Sequence, residues 1–472
     1  MRCLVWFRND LRLADNPALS HACRCGSEGV IAAFNPCFTQ WRAHDWGEPK
    51  IDFILRQVHW LSAELGKRGI PLKLVAAERF EHTPAALLSL AQQHECGGLA
   101  FNLEYEVNEA TRDQKAIEAF EHDGREVTAF HDQNIIPPSA LHTGEGGYYR
   151  VFTPFRRAWM THIEDGFEWR PKPAVKPKVK LDLAADRLPD PPLPHSTIAA
   201  LWPAGADHAM RLLKRFIEHW ISLYPARRDL PAADATSTLS PCLAAGVIST
   251  RQCLAAVCDA FNAEPEELPE GPDVWIRQLI WRDFYRHVLM GYPHVCRNQP
   301  FQHRMRRLPW REAPRDLQAW QAGCTGYPFV DAAMRSLSAT GWLHNRLRMV
   351  VAMFLCKHLR IDWRCGERHF NRMLVDADFA NNNGGWQWSA STGTDAAPYF
   401  RVFNPTTQSR RFDPDGRFIR NWCEELADIE GPAIHEPATV QRRAAGYPEP
   451  IVDHTEARKR AIDMFKMLDQ PG

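Results

Sequence analysis

Short apolar runs recur through the first 130 positions, at 3–7, 29–34, 70–76, 97–102 and 126–130, rich in Val, Ile, Leu and Phe. Between them, stretches near 47–66, 83–94 and 106–122 repeat apolar residues at helical spacing. This alternation predicts a doubly wound, mostly parallel α/β sheet. Ligands of such sheets lie beyond the carboxyl ends of the strands. No Gly-x-Gly-x-x-Gly follows the first run and no phosphate-loop signature occurs, which excludes an ordinary dinucleotide or nucleoside-triphosphate site there. From 131 to 205 the periodicity gives way to Pro137-Pro138, Gly144 to Gly147, a Pro/Lys stretch from Pro171 to Lys180 and prolines from Pro189 to Pro194. That composition predicts a long interdomain linker. From about 206 the patterns are almost all helical, and no internal repeat is visible. The expected organisation is an α/β domain over 1–130, a linker over 131–205 and a helical domain over 206–472.

Composition narrows the class. Hydrophobic residues make up 45% and charged residues 24%, an ordinary globular balance that excludes disordered and coiled-coil readings. The longest apolar run, Met349 to Cys356, is too short to span a bilayer. The chain starts directly on Cys3-Leu4-Val5-Trp6-Phe7, without a signal-peptide pattern. Thirteen scattered cysteines with no Cys-x-x-Cys predict free thiols in a reducing cytoplasm, not a disulfide framework or a zinc site. Basic and acidic residues balance at 57 each, but unevenly: residues 1–130 carry 14 basic against 18 acidic, and residues 131–472 carry 43 against 39. Charges farther apart than about 8 Å are screened at physiological salt, so a nucleic acid responds to the face it meets and not to the total.

Such faces are evident. Eight of the 17 Trp lie between Trp275 and Trp388. From Arg277 to Arg311 there are eight Arg and one acid, Asp283; from Arg335 to Arg372 there are eight Lys or Arg against Asp362 and Glu367. Interleaved Arg and Trp suits phosphate tracking with base stacking, although a helical core with Trp inside and Arg outside has the same composition. Helical spacing places Gln278, Trp281, Arg282 and Tyr285 on one face, and Trp342, Asn345, Arg346 and Met349 on another. Two faces mixing indoles, amides and guanidinium groups invite a large heteroaromatic ligand. In Asp376-Ala377-Asp378-Phe-Ala-Asn381-Asn382-Asn383-Gly384-Gly385-Trp386-Gln387-Trp388 the Asn/Gly run is expected to break any helix and form a binding loop. It lacks the clustered His or Cys of a metal site.

Trp6-Phe7-Arg8-x-Asp10-Leu11-Arg12-Leu13-x-Asp15-Asn16 resembles the opening of the photolyase and cryptochrome family. Thr-Gly-Tyr-Pro-x-Val-Asp-Ala-Ala-Met-Arg at 325–335 and Asn-Asn-Gly-Gly-Trp-Gln-Trp-x-Ala-Ser-Thr-Gly-Thr-Asp-Ala at 382–396 are highly specific to it. The similarity runs over nearly the whole chain and is strongest to its bacterial class I cyclobutane pyrimidine dimer photolyases.

The resemblance implies a helical domain holding FAD through Tyr224, Thr236, Ser237, Thr238, Leu239, Ser240, Trp275, Gln278, Arg282, Trp342, Asn345, Arg348, Asp376, Ala377, Asp378 and Asn382, with Asn382 facing flavin N5. It implies light-driven electron transfer from reduced FAD to a flipped-out pyrimidine dimer in DNA, which splits the dimer and returns the electron. Trp281 and Trp388 match the indoles lining the dimer pocket, with Gln278, Tyr285, Asn345, Arg346 and Met349 beside them. Arg228, Arg401 and Gln408 match DNA-contacting positions, and Trp386, Trp363 and Trp310 match a chain that relays electrons inward to FAD. His44, Asn108, Glu109 and Arg297 match the residues that hold a methenyltetrahydrofolate antenna, with Arg297 where the family places Lys; from the residues alone, Glu109 reads as a solvated acid at a helix start. Gln278 stands where dimer-repairing members carry Glu. An amide donates a hydrogen bond but no proton. Gln at this position also resembles the (6-4) photolyases and animal cryptochromes, so the rival expectation is a cryptochrome-type photoreceptor that binds FAD without efficient repair. No long tail follows the helical core, which favours repair. A monomer is expected.

Overall fold

The computed structural model describes residues 1–469. Five strands, β1 (Arg2–Phe7), β2 (Val30–Phe34), β3 (Leu72–Leu74), β4 (Cys96–Asn102) and β5 (Glu126–Phe130), form one sheet in the order β3-β2-β1-β4-β5. Every pairing is parallel, with Val5 opposite Ala32 on one side and Ala100 on the other. In β1 and β2 nearly every residue is buried, because helices cover both faces of a parallel sheet. The expected helices occur at Glu48–Gly66, Thr83–Gln93 and Val107–His122; two shorter ones, Pro17–Cys25 and Phe38–Ala43, have no counterpart in the sequence reading.

Packing divides the chain into two compact units. One comprises residues 1–222, 237–293 and 375–377; the other comprises 223–236, 294–374 and 378–472. These units follow contact, whereas the sequence-based division follows element type.

Within the first unit Arg12 and Asp15, from the Trp6–Asn16 stretch, enter a buried clamp with Asp132 and Arg251. Asp15, held at φ 53°, accepts from Ser249 Oγ at 2.6 Å and Arg251 Nε at 2.9 Å. Asp132 accepts from Arg12 at 2.5 Å and Arg251 at 2.6 Å. All four ionised groups are buried, so each charge depends on the others for compensation. Gly246 passes so close to Asn9 that a Cβ would lie 2.1 Å from the Asn9 carbonyl oxygen.

Residues 131–205 are not all irregular. Phe152–Glu164 is a helix that buries Phe152, Phe155, Trp159 and Ile163, a spacing of three, four and four. The surrounding Pro/Gly punctuation hides this short amphipathic pattern. The following stretch, 167–196, has no regular element and runs exposed or half-exposed over most of its length.

Candidate functional site

The helix Glu270–Gly291 carries the first cluster, and its expected division of faces holds. Trp275, Ile276, Leu279, Ile280 and Phe284 are buried, while Gln278, Trp281, Arg282 and Tyr285 are half-buried. Trp275 packs on Phe216, ring centroids 5.2 Å apart. Gln278 Nε2 donates to Val274 O at 3.0 Å, committing one of its two N–H groups inside the helix. Arg282 donates to Leu243 O at 2.8 Å. Phe152 stacks flat on Trp281, centroids 3.7 Å apart and planes 6° from parallel. Sequence reasoning missed Phe152 because it lies in the segment read as linker; its signal was the spacing from Phe152 to Ile163.

Asp283, the one acid in that Arg-rich window, does not offset the surface charge. It is fully buried and accepts from Trp159 Nε1 at 3.1 Å and from the amides of Ile135 and Ile136. Burial pushes its carboxyl up to about 7 against the pull of these donors. Also in this unit, Asp376 and Ala377 are buried, and Ser237 to Ser240 lead into the short helix Ser240–Ala244. Thr238 there adopts φ 49°, a left-handed conformation uncommon for a β-branched residue and of a kind that clusters at ligand sites.

In the second unit, Trp342 does not share a helix face with Asn345, as spacing had suggested. The helix is Asn345–Met353, and Trp342 precedes it in a turn where its N–H donates to Thr340 Oγ1 at 3.2 Å. His344 caps the helix by accepting the Arg346 N–H on Nδ1 at 3.2 Å. Burial lowers its pKa to about 4, so the ring is neutral with its proton on Nε2, a buried N–H that meets no acceptor among the described residues. Asn345 is exposed; Arg348 and Met349 are half-buried. Arg346 pairs with Asp229 at 2.9 Å and lies 4.3 Å over the Phe412 ring, so its guanidinium is already oriented. Tyr224 is buried, with Arg228 5.2 Å from its ring centroid. Arg401 is exposed, and Gln408 has a buried Oε1 with no donor among the described residues.

The Asn/Gly run is a helix, Phe379–Ser389, and not the expected loop. Poor helix formers are overridden here by side-chain partners. Asp378 caps it, accepting from Asn381 N at 3.0 Å and Asn381 Nδ2 at 2.7 Å. Asn383 donates to Glu367 at 2.8 Å and accepts from Gln387 at 2.9 Å. Asn382 donates to Glu367 O at 3.0 Å and Asn371 Oδ1 at 2.8 Å. Both its N–H groups are therefore committed, and its carbonyl oxygen accepts from no donor among the described residues. Trp386 and Trp363 are buried, while Trp310 and Trp388 are half-buried. Gly366 lets the Trp386 ring lie against the helix Trp363–Met373. Trp320, not singled out by sequence, is fully buried 6.0 Å from Trp386. Trp310 packs against Met305, Leu308, Met464 and Phe465.

The expected antenna residues His44, Asn108 and Glu109 converge in the first unit. Glu109 Oε1 is 3.2 Å from His44 Nδ1, so it is a paired and largely buried acid instead of a solvated one. Gln40 and Asn108 amides lie 2.9 and 3.0 Å from His44 Nε2. Two donors on Nε2 place the ring proton on Nδ1, toward Glu109. Arg297 is exposed. Among the described residues no cluster of His, Cys, Asp or Glu could hold a metal ion, the cysteines are free, and no helix is long and apolar enough to cross a membrane.

Residues 3–178 match the family model described as DNA photolyase, and residues 275–467 match the FAD binding domain of DNA photolyase. The chain is 45% identical to the deoxyribodipyrimidine photo-lyase of Salmonella typhimurium and 43% identical to that of Escherichia coli, each match covering 98% of both sequences. A crystal structure of a bacterial class III photolyase from Agrobacterium tumefaciens is similar with a TM-score of 0.87 at 33% identity, covering 100% of this chain and 98% of the other. A Synechocystis cryptochrome gives 0.83 at 28% identity, covering 98% and 99%. With both family models matched and such identity along almost its whole length, the chain belongs to the DNA photolyase family.

Proposed function

We propose that this protein is a light-dependent DNA repair enzyme that splits cyclobutane pyrimidine dimers. The observation that carries the reading is the Trp281 platform: a half-exposed indole held flat by Phe152 on a face shared with Gln278, Arg282 and Tyr285. Such a surface suits an unstacked base, for which aromatic stacking contributes about 1–3 kcal/mol and offsets a flipping cost of a few kcal/mol.

The residues present fit a flavin. The unmatched Asn382 carbonyl can accept an N–H such as that of a protonated N5, and the left-handed Thr238 turn within a run of hydroxyls suits a pyrophosphate. Tyr224, Thr236 to Ser240, Trp275, Gln278, Arg282, Trp342, Asn345, Arg348, Asp376 to Asp378 and Asn382 are the residues assigned to hold FAD. Reduced FAD supplies, when bound, the light-excited electron that opens the dimer ring and is then returned. Trp281 and Trp388 stack the dimer; Gln278 contributes an amide N–H to a dimer carbonyl but no transferable proton. Arg228, Arg401 and Gln408 hold the strand, with Arg346 braced by Asp229. Trp386, Trp363 and Trp310 pass electrons inward from the surface. The Trp386 indole N–H is buried without an acceptor among the described residues, so the oxidised ring keeps its proton and the charge moves outward along the chain. His44, Asn108 and Glu109, with Arg297 supplying charge, are assigned to a methenyltetrahydrofolate antenna. The protein acts as a cytoplasmic monomer.

The second reading, a cryptochrome-type photoreceptor, is favoured by Gln278 alone. Incubation with a defined thymine dimer in single-stranded and duplex DNA, with and without blue light, separates the two. Light-dependent loss of the dimer supports repair; bound FAD that photoreduces without dimer loss sinks it.

A further inference from the structure

The helix Asn345–Met353 runs on into a π-helical turn, Phe354–His358. The wider turn presents Lys357, fully buried, to the segment that follows Trp388. Its Nζ donates to Ser391 Oγ at 2.9 Å and Arg401 O at 2.9 Å, with Tyr399 O at 3.4 Å and Pro398 O at 3.5 Å. Three carbonyls of four consecutive residues thus turn inward onto one ammonium. No carboxylate pairs with Lys357 among the described residues. Burial, then the nearby Arg401 charge, lowers its pKa to about 8, so it stays protonated at neutral pH. The opposite side of this turn is open: Phe400 is 60% exposed and Arg401 is exposed. A second set of bonds anchors the start of the segment, with Thr392 and Gly393 donating to Gln387 O and Ala397 to Trp388 O.

A buried charge solvated by one hydroxyl and three backbone carbonyls loses most of its compensation if the carbonyls move. The turn at 398–401 is therefore held by charge-assisted bonds on a segment with no helix or strand of its own between Ser389 and Pro405. We propose that Lys357 is a positioning residue for DNA binding: its ammonium fixes the Pro398–Arg401 turn so that the Arg401 guanidinium meets a phosphate at a preset place. This rests on the reading of Arg401 as a DNA contact made above.

The test is a double-mutant cycle on the FAD-loaded protein, measuring affinity for a dimer-containing duplex from 50 to 200 mM NaCl. Each phosphate contact contributes about 0.9 to the slope of log affinity against log salt. Arg401→Ala is expected to lower the slope by about one contact. Lys357→Met should lower it by the same amount and weaken binding about five- to tenfold, with FAD content and photoreduction rate unchanged. The double variant should bind no worse than Arg401→Ala. A wild-type slope in Lys357→Met, or additive losses in the double variant, overturns the proposal while leaving Arg401 as a contact. A wild-type slope in Arg401→Ala overturns the underlying reading instead. If Lys357→Met does not fold, Ser391→Ala removes one partner and leaves the ammonium in place. Faster amide exchange at 399–402 with unchanged exchange in Phe379–Ser389 supports the proposal, and unchanged exchange at 399–402 refutes it.

Discussion

Gly366→Ala tests whether the Trp386 ring is held where the relay needs it. On propensity alone this substitution within the helix Trp363–Met373 should stabilise by about 1 kcal/mol. The structure reverses the sign. A Cβ at 366 would lie 2.0, 2.4 and 2.6 Å from Cη2, Cζ3 and Cζ2 of Trp386, all far inside van der Waals contact. The ring cannot yield easily: it is 2% exposed, with Phe370 at 5.0 Å and Trp320 at 6.0 Å, both edge-on. Overpacking of this kind costs about 1–3 kcal/mol, so the net expectation is a loss of up to about 2 kcal/mol. The urea midpoint should fall, and flavin photoreduction should slow because Trp386 is displaced. The clashing atoms all belong to the six-membered ring of the indole. Adding Trp386→Phe should therefore recover most of the stability but not the photoreduction, a non-additive pair. A raised midpoint with normal photoreduction in Gly366→Ala would show that the ring moves freely, and the reasoning would fail.

Phe152→Leu removes the stack on Trp281, an aromatic pair of about 0.5–1.5 kcal/mol, so preference for dimer-containing over undamaged DNA should drop by up to about tenfold. An unchanged ratio in competition binding would count against Phe152 as a support. Gln278→Glu puts a carboxyl at the position proposed to meet the dimer and should raise the repair quantum yield; equal yields under identical light would remove any role for the amide. The Asp283 carboxyl, with its folded pKa raised from 3.8 to about 7, binds more protons folded than unfolded between those values. Its contribution to stability is complete below the lower value and is lost as pH rises through about 7. Asp283→Asn should flatten that part of the stability–pH curve in urea titrations at pH 5 and 8, and an unaltered slope would be inconsistent with this assignment.

All five strands were legible because each lies in a short apolar run, a local signal that persists even at the partly exposed edge strands β3 and β5. The face of Gln278, Trp281, Arg282 and Tyr285 was legible for the same reason, since it lies inside one uninterrupted helix. The errors fall where distant residues decide local conformation. Asn381 to Gly385 are poor helix formers, and their helix depends on Asp378, Glu367 and Asn371 as partners. Trp342 looked like a helix residue because spacing counts positions without detecting that His344 starts the helix. The spacing from Phe152 to Ile163 marks a helix but gives no hint of Trp281, 129 positions on, and Lys357 had no local signature, since it acts through residues 34 to 44 positions away.

The buried clamp of Arg12, Asp15, Asp132 and Arg251 has a consequence for modularity. Three of its four ionised groups are supplied before residue 133 and the fourth by Arg251, in the stretch that sequence assigns to the helical domain. An expressed fragment ending at 205 would keep both carboxylates and lose Arg251 with Ser249. Breaking a buried pair costs about 3–5 kcal/mol, a large fraction of an ordinary domain's stability. The sheet is thus not an interchangeable cassette. Its transfer to another flavoprotein must carry residues 249–251 with it, and the motif that makes the family easiest to recognise marks where the chain cannot be cut.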